Sequence, residues 1–338
     1  MKRRSVTLLA LALLVLNQDH VCWADMTAGS LVAWGRDTSD SYNQLDVPTG
    51  SDFVAVDTSF WYHGVALRAD GTIAAWGGRY AGSSAPISGN DFVAVSAGSY
   101  YNLALRADGS LVAVGKDEEG QLAVPSGNDF VAIAAGRYAG LAIRQDGSLA
   151  EWGNYALGAP SGNDFVAIDC GIYHAVALRE DGSLAVWGLN NAGQLNDVPT
   201  GSDFVKIAAG GFGSLALRAD GSLAAWGGGG SYVPPGNDFI DIAAGETHAL
   251  ALRSDGSIVG WGDNSYGEAA SLSGPFQAIS GGSHFTVGIT GTPQVVPLPG
   301  AALLGVLGVG YASLRLRRHR EETSPTFRPR SRLSRLPV

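Results

Sequence analysis

DFIDIAAGETHALALRSDGSIVGWG, residues 238–262, is the stretch whose reading decides the fold. Apolar residues alternate on both sides of Asp255-Gly256, and the second run stops at Trp261-Gly262. Alternation with period two marks half-buried strands, and Asp-Gly between two such runs marks a tight hairpin. A type I′ turn is expected there, with φ > 0 at both central residues. The unit then recurs. Asp-Phe opens a strand at Phe53, Phe92, Phe130, Phe165, Phe204 and Phe239, with Pro275-Phe276 as a degenerate further copy. An inner strand and turn of the form ALRxDG follows at 66–71, 104–109, 142–147, 177–182, 216–221 and 251–256. Trp-Gly closes the hairpin at Trp34, Trp76, Trp152, Trp187, Trp226 and Trp261, and Val114-Gly115 replaces it in one copy. A looser Gly-Gln-Leu element (120–122, 193–195, with Asn43-Gln44-Leu45 as a variant) is expected to supply a short fourth strand.

The phase of the array tells how it closes. The strand ending at Trp34 has no partner before it, whereas the last copy, Phe276 to Thr290, lacks the Trp-Gly strand after it. Each fragment completes the other. The expected fold is therefore all-β: a seven-bladed β-propeller, closed by N- and C-terminal strands sharing one blade, which removes the open sheet edge of a linear array.

The string AGETHALALRSDGSIVGWGDNSYGE (244–268) and its sisters, including Ala192-Gly193-Gln194-Leu195, resemble the regulator-of-chromosome-condensation (RCC1-type) repeat family over residues 27–290. The repeats are shorter than those of the nuclear family member. They are similar to the compact repeats of secreted bacterial propellers, one of which inhibits β-lactamases. The resemblance implies an RCC1-like propeller. Nucleotide exchange on a small GTPase is not carried over, since an exported acidic chain would not meet that partner.

Export is the expectation from the ends of the chain. Residues 1–24 read as a signal peptide: Lys2, Arg3 and Arg4, then an apolar run from Val6 to Leu16, then Ala24. If Cys22 leaves with it, Cys170 is the one cysteine remaining, so no internal disulfide forms, and Cys170 is expected to be a packing residue. The propeller domain is placed at 25–290. Val295 to Leu314 is apolar, uncharged and long enough for one membrane span, and Arg315, Arg317, Arg318 and Arg320 follow it. With VPLPG at 296–300, the segment 291–320 resembles the PEP-CTERM sorting signal of exosortase substrates. That resemblance implies processing by an exosortase-type enzyme and release to the cell envelope or outside. The basic tail 321–338 departs from the family pattern and is expected to be disordered; a plain C-terminal anchor is the other reading. The net charge is -9 although both ends are basic, so the body is acidic and nucleic acid is excluded as a partner.

Catalytic patterns are missing. No GxSxG, HExxH or P-loop string occurs. His63, His174 and His248 share one repeat position, which holds Tyr101, Ala139, Gly213 and Phe285 in other copies, so they read as packing residues. Asp70, Asp108, Asp146, Asp181, Asp220 and Asp255 are turn residues. Asp117-Glu118-Glu119 and Asp263-Asn264 lack the oxygen pattern of a calcium loop and read as solvated. No metal and no cofactor are expected, and the chain reads as non-enzymatic.

One constellation remains. Aligned on the ALR strand, Tyr62, Tyr100, Tyr138, Tyr173, Phe212, Thr247 and His284 fall at one loop position. The preceding position varies: Trp61, Ser99, Arg137, Ile172, Gly211, Glu246 and Ser283. In a ring of blades these positions form two circles on one face. Trp61, Tyr62, Tyr100, Arg137, Tyr138, Tyr173 and Phe212 are thus the expected partner-binding residues, because rigid aromatics and Arg dominate binding hot spots. Wedging between blades is the competing use of the same side chains. The functional expectation is an exported, surface-sorted, monomeric propeller that binds a protein or glycan. An envelope lyase or hydrolase using the central funnel, and a matrix component with no specific ligand, are the alternatives.

Overall fold

The computed structural model describes residues 28–36, 42–78, 84–85, 87–117, 119–153, 157–228 and 232–292. The expected leader, Cys22, Glu118, the VPLPG string, the apolar run and the basic tail lie outside them. Within the described residues there are seven three-stranded antiparallel sheets. In the 238–262 unit the strands are Phe239–Ala244, His248–Arg253 and Ile258–Gly262, hydrogen-bonded in that order. We number the blades along the chain: 53–77, 92–115, 130–152, 165–188, 204–227 and 239–262 are blades 1 to 6. Blade 7 is Phe276–Gly281 and Phe285–Thr290 completed by Leu31–Gly35. The ring closes as its phase requires.

The strand order corrects one expectation. The Asp-Phe strand is the innermost of each blade, and the ALR strand is the middle one. Residues from all seven first strands line a common axial space, among them Val56, Ala97, Ala135, Cys170, Ala209, Ala244 and Gly281. Small side chains at the converging ends allow seven strands to approach one axis. Each first strand also carries a bulge just after its Phe, for example between Phe53 and Ala55.

The hairpin turn is a second correction. The Gly256 amide donates to the Arg253 carbonyl at 3.0 Å, and the Arg253 amide to the Ser257 carbonyl at 2.8 Å. Gly256 has φ +84°, while Asp255 is not among the positive-φ residues. This is a type I turn ending in a left-handed glycine, not a type I′ turn. The cause is the Asp side chain, whose Oδ1 accepts from the Ser257 amide and hydroxyl at 2.8 and 2.6 Å. The same pair recurs at Asp70, Asp108, Asp146, Asp181 and Asp220. The glycine also faces the next blade: the Phe92 amide donates to the Gly71 carbonyl at 3.2 Å, and a Cβ on Gly71 would sit 2.3 Å from the Asn90 carbonyl oxygen.

The Asp-Phe pair and the Arg of ALR turn out to be one device. Arg253 pairs with Asp238 at 2.8 Å, and its guanidinium lies 4.8 Å from the Phe239 ring centroid. Blades 1 to 5 repeat this with Arg68, Arg106, Arg144, Arg179 and Arg218. Blade 7 replaces the pair with Pro275 and Thr290.

No fourth strand forms among the described residues; a single bridge between Ile258 and Leu272 is the nearest approach. The Gly-Gln-Leu element is a plug instead. Gln44, Gln121 and Gln194 are buried, and the carbonyls of Gln44 and Gln121 accept the indole N–H of Trp76 and Trp152 at 3.0 and 2.9 Å.

Packing follows the ring. Apolar clusters form between blades: Leu31, Phe285, Val287 and Ile289 of blade 7 pack with Phe53, Val56, Ala66 and Trp76 of blade 1. Polar pins cross the same junctions. His63 Nε2 meets Asn102 Oδ1 at 3.1 Å, His174 Nε2 meets Ser214 Oγ at 2.7 Å, and His248 Nε2 meets Thr286 Oγ1 at 2.9 Å. Blade 2 has Tyr101 at this position, and its hydroxyl donates to the Ala139 carbonyl at 2.9 Å. Burial pushes all three histidines down to about 4. The histidines are structural, as their interchange with Ala and Gly suggests.

Cys170 is buried at the axis, where Gly136 leaves room for its Sγ, and burial pushes its thiol up. Iodoacetamide is therefore expected to leave Cys170 unmodified in the native protein and to alkylate it fully in urea. Peptide mapping that finds rapid native alkylation would contradict this placement.

Candidate binding face

Each first strand passes to its middle strand through a short loop, closed in blade 2 by the Gly98 amide on the Tyr101 carbonyl at 2.9 Å. All seven loops lie on one face of the ring, and backbone bonds between neighbours fix their spacing. The Ser99 amide donates to the Gly136 carbonyl, Gly211 to Gly245, and Glu246 to Gly282. Blade 1 departs from this pattern. Its loop closes from Ser59 to His63, one residue longer than from Gly98 to Tyr101, and Tyr62 takes φ +63°. A bulky residue in the left-handed region is unusual, and such strain gathers at binding and active sites.

The expected residues form a connected group across blades 1 to 4. The ring centroids of Trp61 and Tyr100 are 5.3 Å apart, and those of Tyr100 and Tyr138 are 6.3 Å apart. Arg137 is the centre of the group. Its guanidinium carbon is 5.5 Å from the Trp61 ring, 4.7 Å from Tyr138 and 5.5 Å from Tyr173, and Nη1 donates to the Tyr173 hydroxyl at 2.6 Å. Tyr100 is only 8% exposed and forms the floor, whereas Trp61, Arg137, Tyr138 and Tyr173 are half-buried. Phe212, half-buried in blade 5, is not among the ring contacts of this group.

Tyr62 belongs to a second group. It stacks on Tyr42 at 5.1 Å and lies 6.1 Å from His284, which in turn is 5.3 Å from Tyr266. Arg36 lies over the Tyr266 ring at 4.8 Å. Tyr42, Tyr266 and Arg36 were missed by the alignment because they sit in connections after the Trp-Gly strands. The signal was available: each lies within ten residues of a Trp-Gly stop.

The axial space holds two carboxylates. Asp57 Oδ1 accepts from the Thr58 amide at 2.8 Å and Ser280 Oγ at 3.2 Å, and Oδ2 from Ser96 Oγ at 3.0 Å and the Ala97 amide at 2.8 Å. Asp169 accepts from the Cys170 and Ala209 amides, each at 2.7 Å. Burial raises both carboxyls, and with Asp57 as a like charge Asp169 is pushed up to about 7. These oxygens stitch adjacent blades. A third group gathers Asp263, Glu268 and His284 with their ligand atoms within 4.8 Å of one another. The reading of Asp263 as a solvated loop residue did not foresee this, because the three belong to different parts of the repeat.

Comparison with known proteins gives the same architecture. The family described as "Regulator of chromosome condensation (RCC1) repeat" matches residues 92–121, 165–194 and 239–268. The structure is similar to Prp20p of Saccharomyces cerevisiae, studied for its binding to Gsp1p and histones, with TM-score 0.66, 18% identity, and 79% of this chain and 93% of that one covered. It is also similar to the ectodomain of the Arabidopsis thaliana receptor kinase ACR4, with TM-score 0.60, 20% identity, and coverage of 71% and 94%. The Physcomitrella patens receptor kinase CR4 ectodomain gives TM-score 0.60 at 22% identity, with 72% of each chain covered. No curated protein sequence matches the chain. At these identities the likeness shows the fold: a seven-bladed, RCC1-like propeller.

Proposed function

We propose that the propeller is an exported, non-enzymatic binding protein that captures a protein partner on the loop face of blades 1 to 4. The observation that carries this is Arg137, held among Trp61, Tyr138 and Tyr173 at 4.7–5.5 Å on a partly exposed surface. Trp, Tyr and Arg in a rigid cluster are the residues that dominate protein–protein hot spots. Yeast RCC1 (Prp20), a similar fold, has been crystallised bound to Kap60, an instance of a chain of this fold with a protein partner. The leader at 1–24 and the segment 291–320 would direct the domain to the envelope, with an exosortase-type enzyme as processing partner.

The test uses the full chain with Trp61→Ala, Arg137→Ala and Tyr138→Ala combined, and leaves the buried Tyr100 in place. Capture from envelope extract should fall at least about thirtyfold, as loss of a single hot spot of about 2 kcal/mol implies. The thermal transition should move by only a few degrees. Capture that survives the triple change would refute the reading, and collapse of the fold would assign these side chains to blade packing. A captured glycan in place of a protein would keep the face and change the ligand class.

A further inference from the structure

We propose that Asp263, Glu268 and His284 form a binding site for a divalent transition metal of the zinc class, at the junction of blades 6 and 7. Asp263 follows the outer strand of blade 6, Glu268 lies in the connection to blade 7, and His284 lies in the first loop of blade 7. The decisive residue is Glu268. Its side chain is fully buried, and Oε2 accepts from the Tyr266 amide at 2.8 Å, but Oε1 has no hydrogen-bond partner. Oε1 points towards His284 Nδ1 at 3.7 Å, and that nitrogen also lacks a hydrogen-bond partner. A buried carboxylate oxygen and an imidazole nitrogen, facing each other without a hydrogen bond, need a cation or a proton between them.

The repeat supplies an internal control. Where blade 7 has Glu268, sister blades carry Gln44, Gln121 and Gln194, all buried. In each of Gln121 and Gln194 one amide oxygen accepts the amide two residues earlier, as Glu268 Oε2 does. The other arm of Gln44 is an N–H donor, bonded to the Arg36 carbonyl at 2.6 Å. Glu268 puts an oxygen where Gln44 has that donor, whereas the Nε2 of Gln121, also without a partner, is a neutral donor. The same junction replaces a loop Tyr with His284, and replaces Arg36, Gly78, Lys116, Leu189 or Gly228 after the outer strand with Asp263. Three deviations, each unremarkable alone, converge on one point.

One nitrogen and two carboxylate oxygens suit a borderline ion better than calcium, which asks for six or more oxygens. Ligands at about 2.0–2.1 Å from a tetrahedral zinc lie about 3.3 Å apart, so small inward rotations of Asp263 and His284 would complete the set. A fourth position stays open to water. The competing neutraliser is Arg36, whose guanidinium lies over Tyr266; a chain that relies on it binds no metal.

Calorimetric titration of the untagged full chain with zinc chloride, cobalt chloride and calcium chloride tests this. Glu268→Gln and His284→Tyr install residues that sister blades already carry, so both variants should keep the thermal transition, and Asp263→Asn is the reserve if either does not. Saturable zinc and cobalt binding that weakens at least about tenfold in each variant is the expected result, with zinc raising the Tm of the parent chain alone. No zinc or cobalt binding, binding unchanged in the variants, or calcium bound as tightly as zinc would overturn the assignment.

Discussion

Removal of residues 28–36 is expected to abolish the cooperative unfolding transition of the ring, and a synthetic peptide of those residues, added in trans, is expected to restore it. Leu31–Gly35 is the outer strand of blade 7 and pairs residue by residue with Phe285–Gly288 and Ile289. Leu31 is buried in the cluster that joins blades 7 and 1, and Trp34 packs on Phe276 with centroids 5.9 Å apart. The segment before the strand matters as well. Gly29 exchanges two backbone bonds with Phe53, at 2.9 and 3.1 Å, standing in for the turn glycine that docks each other blade on its successor. Burying Leu31 contributes about 1.5–3 kcal/mol, the half-buried Trp34 adds to it, and each ladder bond gives about 1 kcal/mol net. Even after the cost of ordering the strand, the loss is several kcal/mol from a total on the order of 5–15. The exposed edge of Phe285–Thr290 would also invite association between chains. A truncated chain that melts cooperatively within a few degrees of the parent would show that blade 7 needs only two strands.

The second large effect is on acid stability. His63 and His174 sit near 4 in the folded ring because burial disfavours their charge, against 6.5 when unfolded. Between those values the unfolded chain binds the extra protons, so each histidine removes stability as pH falls from 6.5 to 4, to a limit on the order of 3 kcal/mol. His248 acts in the same direction. Asp169 opposes them. Its folded value of about 7 lies above 3.8, so the folded state holds the extra proton and gains stability as pH falls through the same window. Asp57, also raised by burial, adds to that gain. The parent chain should therefore lose stability between pH 7 and pH 4.5, by less than its three histidines alone would cost. Single variants separate the contributions. His174→Gln retains a donor for Ser214 and should flatten the loss, while Asp169→Asn should steepen it, each by about 1.4 kcal/mol per pH unit where the group titrates. Urea titrations at pH 7, 5.5 and 4.5 give the slopes; variants running parallel to the parent would remove the basis of this account.

The blades and their seam were legible because strand alternation and repeat phase are local properties of the sequence. The opening Trp34 fragment and the closing Phe276–Thr290 fragment could be matched without knowing a single contact. Details set by side chains were less legible. Asp255 bonds Ser257 and so selects a type I turn where the Asp-Gly pattern alone suggests type I′. Gln44 and Gln121 serve their tryptophans through backbone carbonyls, which no strand pattern reveals. On the binding face, the alignment placed Trp61 and Arg137 on one circle, but not the contact between them across an intervening blade. Tyr62 was assigned to that group from its position, and an additional loop residue in blade 1 turned it towards Tyr42 and His284. Glu268 was invisible as a site because a single Glu for Gln exchange acquires meaning only when His284 is seen 3.7 Å away.

Seven blades of nearly the same sequence raise a problem of counting: a ring of similar wedges could attempt to close one unit early or late. Asp57 supplies an answer at the seam. Its carboxylate in blade 1 accepts from Ser96 and Ala97 of blade 2 on one side and from Ser280 of blade 7 on the other. Closure one unit early would bring Ala243 of blade 6 to the place of Ser280 and leave the carboxylate short of a donor. The polar group that ties the ring together thus also records how many blades have joined it.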